Sequence, residues 1–470
     1  MAAHTDLGTE RIRTLLIRYA LPAIIAMTAA SLYNIVDSIF IGHGVGALAL
    51  SGLTIAKPFM DICAAFGSLV GVGAGAIVAI KLGEKDVETA DKVLGNVILL
   101  NVILGLVVMI VGIIFLDPIL RAFGASDATL PYARDYMLII LLGNVPTHIY
   151  FGLNNILRSS GHPYMSMTAT IVAVVLNIAL DPIFIFVLGM GVRGAALATV
   201  ISQCVAVVWQ FSIFTRKNEL LHFRAGIWKI DKQLTLDMFA IGLSPFLMNM
   251  AHCLVVVILN NQLKTYGGDM AIAAYGVVNR FIFVFFMVIM GLNQGMQPIA
   301  GYNYGARQFD RVIRVFSLTA YAATGITTLV FLLGELCPSL MVQIFTHDEV
   351  LVQEATYAMR IIACAFFVVG FQAVTGNLFT SLGMAKKAIF LSLSRQVLLL
   401  VPLAILMPLI PVNGQPWGID GVWWSMPLSD TGAAILATWL LVRQLRYFKQ
   451  MHLDQQMADN EGEEQDFIEG

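Results

Sequence analysis

The sequence is poor in charge. Of its 470 residues only 12% are Asp, Glu, Lys or Arg, where a water-soluble chain of this length carries about 25%. It has few cysteines, five in all (Cys63, Cys204, Cys253, Cys337, Cys364), an odd number with no metal-binding spacing. That excludes a disulfide framework and leaves packing as their expected role. There is no phosphate-binding P-loop: GVGAG at 71–75 lies within an apolar run with no preceding strand, so close helix packing is expected there, not nucleotide binding. Nor is there a nucleophile–base pair or a His/Asp metal cluster, and an enzyme is not expected. The net charge of −2 provides no surface for nucleic acid.

Long apolar runs are what the chain has instead, and 58% of it is hydrophobic. A spanning helix needs about 20 apolar residues to cross a hydrocarbon core about 30 Å thick. That rule yields twelve spans, centred near 28, 66, 104, 146, 177, 204, 250, 285, 324, 368, 399 and 433. The first apolar stretch is expected to remain as a span, because it is longer than a signal peptide and runs into a second one. With a cytoplasmic N-terminus, twenty Lys and Arg fall on the cytoplasmic side, in clusters such as Arg11–Arg13–Arg18 and the loop 216–232. The opposite side has Arg121, Arg134, Arg193 and Lys264. This bias predicts that both termini are cytoplasmic. The tail at 447–470, rich in acids, is expected to be disordered.

The chain also repeats itself. LGEKDVETADKVL (82–94) aligns without gaps with YGARQFDRVIRVF (304–316), and ILRSSG (156–161) with LFTSLG (378–383), both at an offset of 222. The expected fold is therefore all-α and membrane-embedded, with twelve transmembrane helices in two parallel six-helix repeats around a central cavity. The N-lobe covers 1–215, a cytoplasmic linker 216–232, and the C-lobe 233–446. Transporters built on such repeats bind near the midplane between the halves.

Ionisable side chains inside spans are expensive, roughly 2.5–3.5 kcal/mol at a helix centre, and usually face a cavity or a partner. Asp37, in NIVDSIFIG, and Asp181, in NIALDPIFIF, are of this kind. Asn177 shares a helix face with Asp181, and Asn34 lies close to that of Asp37. Pro182 predicts a kink that frees a backbone carbonyl. Such oxygens suit Na⁺, and the carboxylates can instead hold a proton. At the repeat offset Asp37 maps near Asn260 and Asp181 to Leu403, so the ion chemistry is expected in the first half. A lone intramembrane acid is often only a satisfied hydrogen-bonding group, and that reading stands beside the functional one. Lys57 and Asp61, four apart, are expected to neutralise each other. Arg280, Arg360 and Arg395 are expected to snorkel or pair, with Arg280 the one facing the cavity. His148 and His252 are expected to be packed. Gln294, Asn260 and Met248 are further candidates for the cavity wall.

Together these motifs, with GxGAxxxxxxLGE at 73–84, LRSSG at 157–161, NIALDPIFIFxLGMGVRGAALATVISQ at 177–203 and GLNQGMQPIAGYNYGA at 291–306, resemble the multidrug and toxic compound extrusion (MATE) family, in its MepA-like bacterial branch. The resemblance runs from about residue 12 to 445. It implies a multi-pass protein of the bacterial inner membrane, acting as a monomer among membrane lipids. Such proteins export amphipathic organic cations and drugs in exchange for H⁺ or Na⁺, with no cofactor. It implies an ion site at Asp37, Asn177, Asp181 and Thr199, the positions where Na⁺ would bind, with Tyr136 and Asn154 in the supporting network. Some relatives carry acids in the seventh and tenth helices. Here those helices offer Asn249, Asn260, Asn261 and Gln372, which puts coupling on the N-lobe. The rival expectation is a flippase for lipid-linked precursors, which Arg280 in the cavity would favour.

Overall fold

The computed structural model describes residues 2–224, 226–412 and 414–469, with side chains described for 6–224, 226–412 and 414–451. Among them nine helices are long and apolar enough to cross a membrane, and two helix pairs, bent by 57° and 47°, do so as pairs. The 74-residue helix Lys232–Gly305 is two helices joined at Gly268, where φ is 70°. The result is twelve crossings. In the first repeat they are α1 (Ile12–Gly44), α2 (Ala47–Gly83), α3 (Val87–Ile114), α4 (Leu130–Leu142 with Asn144–Ser159), α5 (Pro163–Val187) and α6 (Val192–Phe214). In the second they are α7 (232–267), α8 (269–305), α9 (Phe309–Leu336), α10 (Glu349–Ala363 with Phe366–Ser381), α11 (Ala385–Leu409) and α12 (Ile419–Glu469). The acidic tail expected at 447–470 lies, from residue 452 on, outside the described side chains.

Backbone geometry carries the duplication further than residue identity does. Gly46, between α1 and α2, has φ 109°, and its partner at offset 222 is Gly268, the break between α7 and α8. Both are left-handed turns that a side chain would strain. Lys85 (φ 62°) and Arg307 (φ 56°), the two non-glycine residues with positive φ among the described ones, are also 222 apart, as are Gly161 (φ 95°) and Gly383 (φ 70°). Two stretches with little sequence in common thus take the same turns at the same places. The caps have diverged: Asp86 caps α3 through Thr89 N at 3.1 Å, whereas Gln308 caps α9 with its backbone alone.

Apolar side chains face both ways. Ile103, Val107, Ile110 and Ile114 form an exposed stripe at helical spacing on α3, the pattern of a helix face turned to lipid. The inner seam joins the repeats at the end bearing the 84–86 and 306–308 turns. There a Cβ on Gly83 would sit on the Tyr302 carbonyl oxygen, one on Gly305 on that of Ile80, and one on Gly73 on that of Met238. Close packing is thus the role of GVGAG, as expected. A short helix, Ala2–Thr9, crosses beneath this seam. Arg311 Nη2 donates to the Leu7 and Glu10 carbonyls at 3.0 and 2.8 Å, and Asn303 Nδ2 to Leu7 O at 3.1 Å.

Candidate functional site

Away from the seam the repeats separate around a cavity of about 550 Å³. Its first-repeat wall has Tyr33 and Asn34 from α1, Lys57 and Asp61 from α2, Asn154 and Arg158 from α4, Asn177 from α5 and Thr199 from α6. The opposite wall has Met248 and Asn249 from α7, Gln294 and Gln297 from α8, Gln372 from α10 and Arg395 from α11. Met27, Met60, Met290, Phe151 and Phe286 supply much of the apolar surface, which is deformable and suited to ligands of several shapes.

Asp37 and Asp181 stand just behind the first wall, 4% and 0% exposed. The helices that carry them, α1 and α5, pack side by side. Their C-terminal ends meet where Phe40 stacks edge-on to Phe186 at 6.2 Å. The two carboxylates act on each other electrostatically, and both act on Tyr33 and Tyr136. Each holds a buried Oδ1 without a hydrogen-bond partner among the described residues. With the Asn177 amide turned to satisfy both its ends, Nδ2 donates to Asp181 Oδ2 at 3.2 Å and Oδ1 accepts from the Thr199 hydroxyl at 3.1 Å. So Asn177, Asp181 and Thr199 form one hydrogen-bonded cluster, with Asp37, 140 residues before Asn177, in electrostatic contact with it. Pro182 deforms α5 as expected: Ile183–Val187 is a π-turn directly after Asp181, closed by Leu188 N to Ile183 O at 2.9 Å.

The supporting residues occupy a second tier. Asn154 Nδ2 donates to Thr170 Oγ1 at 3.1 Å, and its Oδ1 accepts from Ser166 Oγ at 2.7 Å. Tyr136 is fully buried, with its hydroxyl 3.8 Å from Met60 Sδ. Asn34 turns back onto its own helix, Nδ2 to Ala30 O at 2.6 Å, and does not hold Asp37. Lys57 and Asp61 pair at 2.7 Å. His148 is packed, with Nε2 2.9 Å from Cys63 O, and the five cysteines are free.

Two expectations need correction. Arg280 is exposed and stands outside the cavity, and so does Asn260. On α8 the cavity lining begins at Phe286, six residues beyond Arg280, and on α7 it ends at Asn249, eleven residues before Asn260, whereas Gln294 and Met248 do line it. The arginine in the second wall is Arg395, and its partner went unread in the sequence. Asp430, 2% exposed on α12, accepts from Arg395 Nε at 2.5 Å. The second repeat therefore does contain a buried acid, already matched by a cation. Arg158, read as a loop cation, is 9% exposed. It donates from Nη1 to Gln294 Oε1 at 2.5 Å and from Nη2 to Asn155 Oδ1 at 2.6 Å, a clasp between the two walls. Tyr33 was also missed, although its i,i+4 spacing to Asp37 signals a shared face.

The MatE family model matches residues 22–183 and 241–406, one stretch in each repeat. The chain belongs to the MatE family. Among relatives of this MatE chain, the multidrug export protein MepA of Staphylococcus haemolyticus is 30% identical over 429 residues, 91% of this chain and 92% of that protein. MepA of Staphylococcus aureus is 29% identical over 92% of this chain and 93% of its own. Solved structures agree. That of the MATE multidrug transporter DinF-BH is 37% identical, with a TM-score of 0.84 over 93% of this chain and 96% of that one. A MATE crystal structure in the bent conformation, 24% identical, matches the fold with a TM-score of 0.89 over 96% of this chain and 99% of that one.

Proposed function

We propose that this MatE protein is a secondary antiporter that exports amphipathic organic cations in exchange for H⁺ or Na⁺, with both termini in the cytoplasm. One observation carries the reading. Two buried carboxylates with bare oxygens adjoin a deformable apolar cavity, in one repeat only. A carboxylate oxygen buried without a donor is costly unless it takes up a proton or a cation. The Asp37–Asn177–Asp181–Thr199 cluster provides hard oxygen donors for Na⁺ and acceptors for H⁺ alike. The relatives' names, multidrug export protein and MATE multidrug transporter, support the substrate class.

In this reading the seam at the 84–86 and 306–308 turns is the cytoplasmic one, so the cavity opens outward. Uptake of the ion from outside neutralises the cluster and releases the drug. Loading from the cytoplasm requires the seam and the Arg158–Gln294 clasp to part. The lipid-flippase alternative rested on Arg280, which stands outside the cavity.

The test is efflux of a fluorescent organic cation from proteoliposomes under an imposed H⁺ or Na⁺ gradient, with wild type and Asp37→Asn. Efflux driven by one gradient and lost in the variant names the coupling ion. Efflux that persists unchanged in Asp37→Asn and in Asp181→Asn would sink the proposal.

A further inference from the structure

The cavity's second wall holds a guanidinium in an unusual posture. Arg395 meets the buried Asp430 through Nε alone, at 2.5 Å. Neither Nη1 nor Nη2 has a protein partner among the described residues. Asp430 is 2% exposed and does not line the cavity, whereas the Arg395 side chain is 26% exposed and does. The carboxylate thus anchors the base of the guanidinium and leaves its fork turned to the open space. An arginine that served packing alone would present the fork to its acid, where two parallel hydrogen bonds are available.

Depth matters as much as direction. At the repeat offset Arg395 corresponds to Ala173, which lines the first wall four residues, about 6 Å, below Asn177 on α5. His252 lies within electrostatic reach of both Arg395 and Asp61, which belong to opposite walls. Ser392, Gln396 and Gln372 add polar groups to the lining of the same wall. The first wall thus has the buried Asp37 and Asp181 behind it, and the second offers a free bidentate donor.

We infer that Arg395 is a specificity-determining residue that recognises the carboxylate of zwitterionic amphiphiles, while their cationic group lies toward the acidic wall. This rests on the transport reading and deepens it. Plain cations use the apolar cavity and the acids. A substrate with an added carboxylate gains the Arg395 fork as well, at no cost in breaking an existing bond, because Asp430 keeps its hold on Nε.

A rhodamine free acid and its ethyl ester share one cationic ring system and differ in that carboxylate, so they isolate the contact. Their dissociation constants are measured by fluorescence anisotropy on the purified full-length protein, and their efflux from proteoliposomes. Wild type is expected to prefer the acid. Arg395→Gln should weaken the acid roughly tenfold, the loss of one charge-assisted hydrogen-bonded contact, and leave the ester within about twofold. Since Arg395→Gln leaves Asp430 buried and unpaired, the double variant Arg395→Gln, Asp430→Asn is measured beside it, and the same selective loss is expected. Equal weakening of both probes in the double variant would assign the pair to packing and overturn the inference, as would no loss of the acid. A wild type that binds and moves neither probe would overturn the transport reading itself, and the inference with it.

Discussion

The two repeats share a backbone and differ in how they treat a buried acid. In the first, Asp37 and Asp181 lie behind the cavity wall, each with one oxygen that nothing among the described residues satisfies. In the second, Asp430 is as deeply buried but held by Arg395. The first arrangement leaves buried carboxylate oxygens open, which in the antiport reading is where the ion acts. The second is a settled pair. Duplication supplied two equal frames, and in the antiport reading divergence made one the responsive half and the other the fixed half. An asymmetric charge pattern on a symmetric backbone is what a coupled transporter needs, since the ion must be able to favour one conformation over the other.

That comparison can be broken by substitution. The largest effect is expected from Asp430→Asn, which removes one partner of a buried pair. It should destabilise the protein by about 3 kcal/mol, the lower end for such pairs because water reaches Arg395. Asp181→Asn, the equivalent change in the first repeat, should be neutral or stabilising by up to about 1 kcal/mol, because it removes an unsatisfied oxygen. Denaturant unfolding of the two variants in detergent checks this, and equal losses would erase the distinction. Next in size, Gly83→Ala and Gly305→Ala should each cost about 1–3 kcal/mol of seam packing, since the new methyl meets a carbonyl across it. Spin labels at the inner ends of α2 and α8 should show longer distances in both variants. The smallest effect concerns the caps. Asp86→Ala should lose about 1 kcal/mol, and Gln308→Ala, with no side-chain cap to lose, close to nothing. The hydrogen bonds from Thr89 hold the Asp86 carboxyl below its ordinary value of 3.8. The Asp86 contribution is therefore complete above that value and fades as the pH falls through the lowered one. Wild type and Asp86→Ala should converge in acid.

Spans and duplication could be read from the sequence because both are written locally. Twenty apolar residues in a row make a crossing wherever they occur, and a turn motif is recognisable when it recurs at offset 222. The first-repeat acids were legible for a similar reason, as charges inside apolar runs with Asn one turn away. Asp430 was not, because its meaning lies in Arg395, 35 residues earlier on another helix, and no spacing rule joins them. Arg158 illustrates the reverse error. By position it is a loop cation, yet it sits in the last turn of α4, buried and bonded across the space between the walls. Arg280 failed on position along the helix: it lies six residues, about 9 Å, short of Phe286, where the cavity lining of α8 begins, and hydropathy does not reveal which stretch of a span a cavity will meet.

The seam has a mechanical consequence. Where Gly83 and Gly305 press against opposite backbones, the halves meet main chain to main chain at those two points. Interlocked side chains would have to be lifted from their sockets one by one before the halves could part, each adding friction. Smooth faces can slide or lift apart in a single motion, and they seat again without searching for register. In the antiport reading, halves that part on every cycle gain from such contact points, where neither glycine has a side chain to be lifted clear.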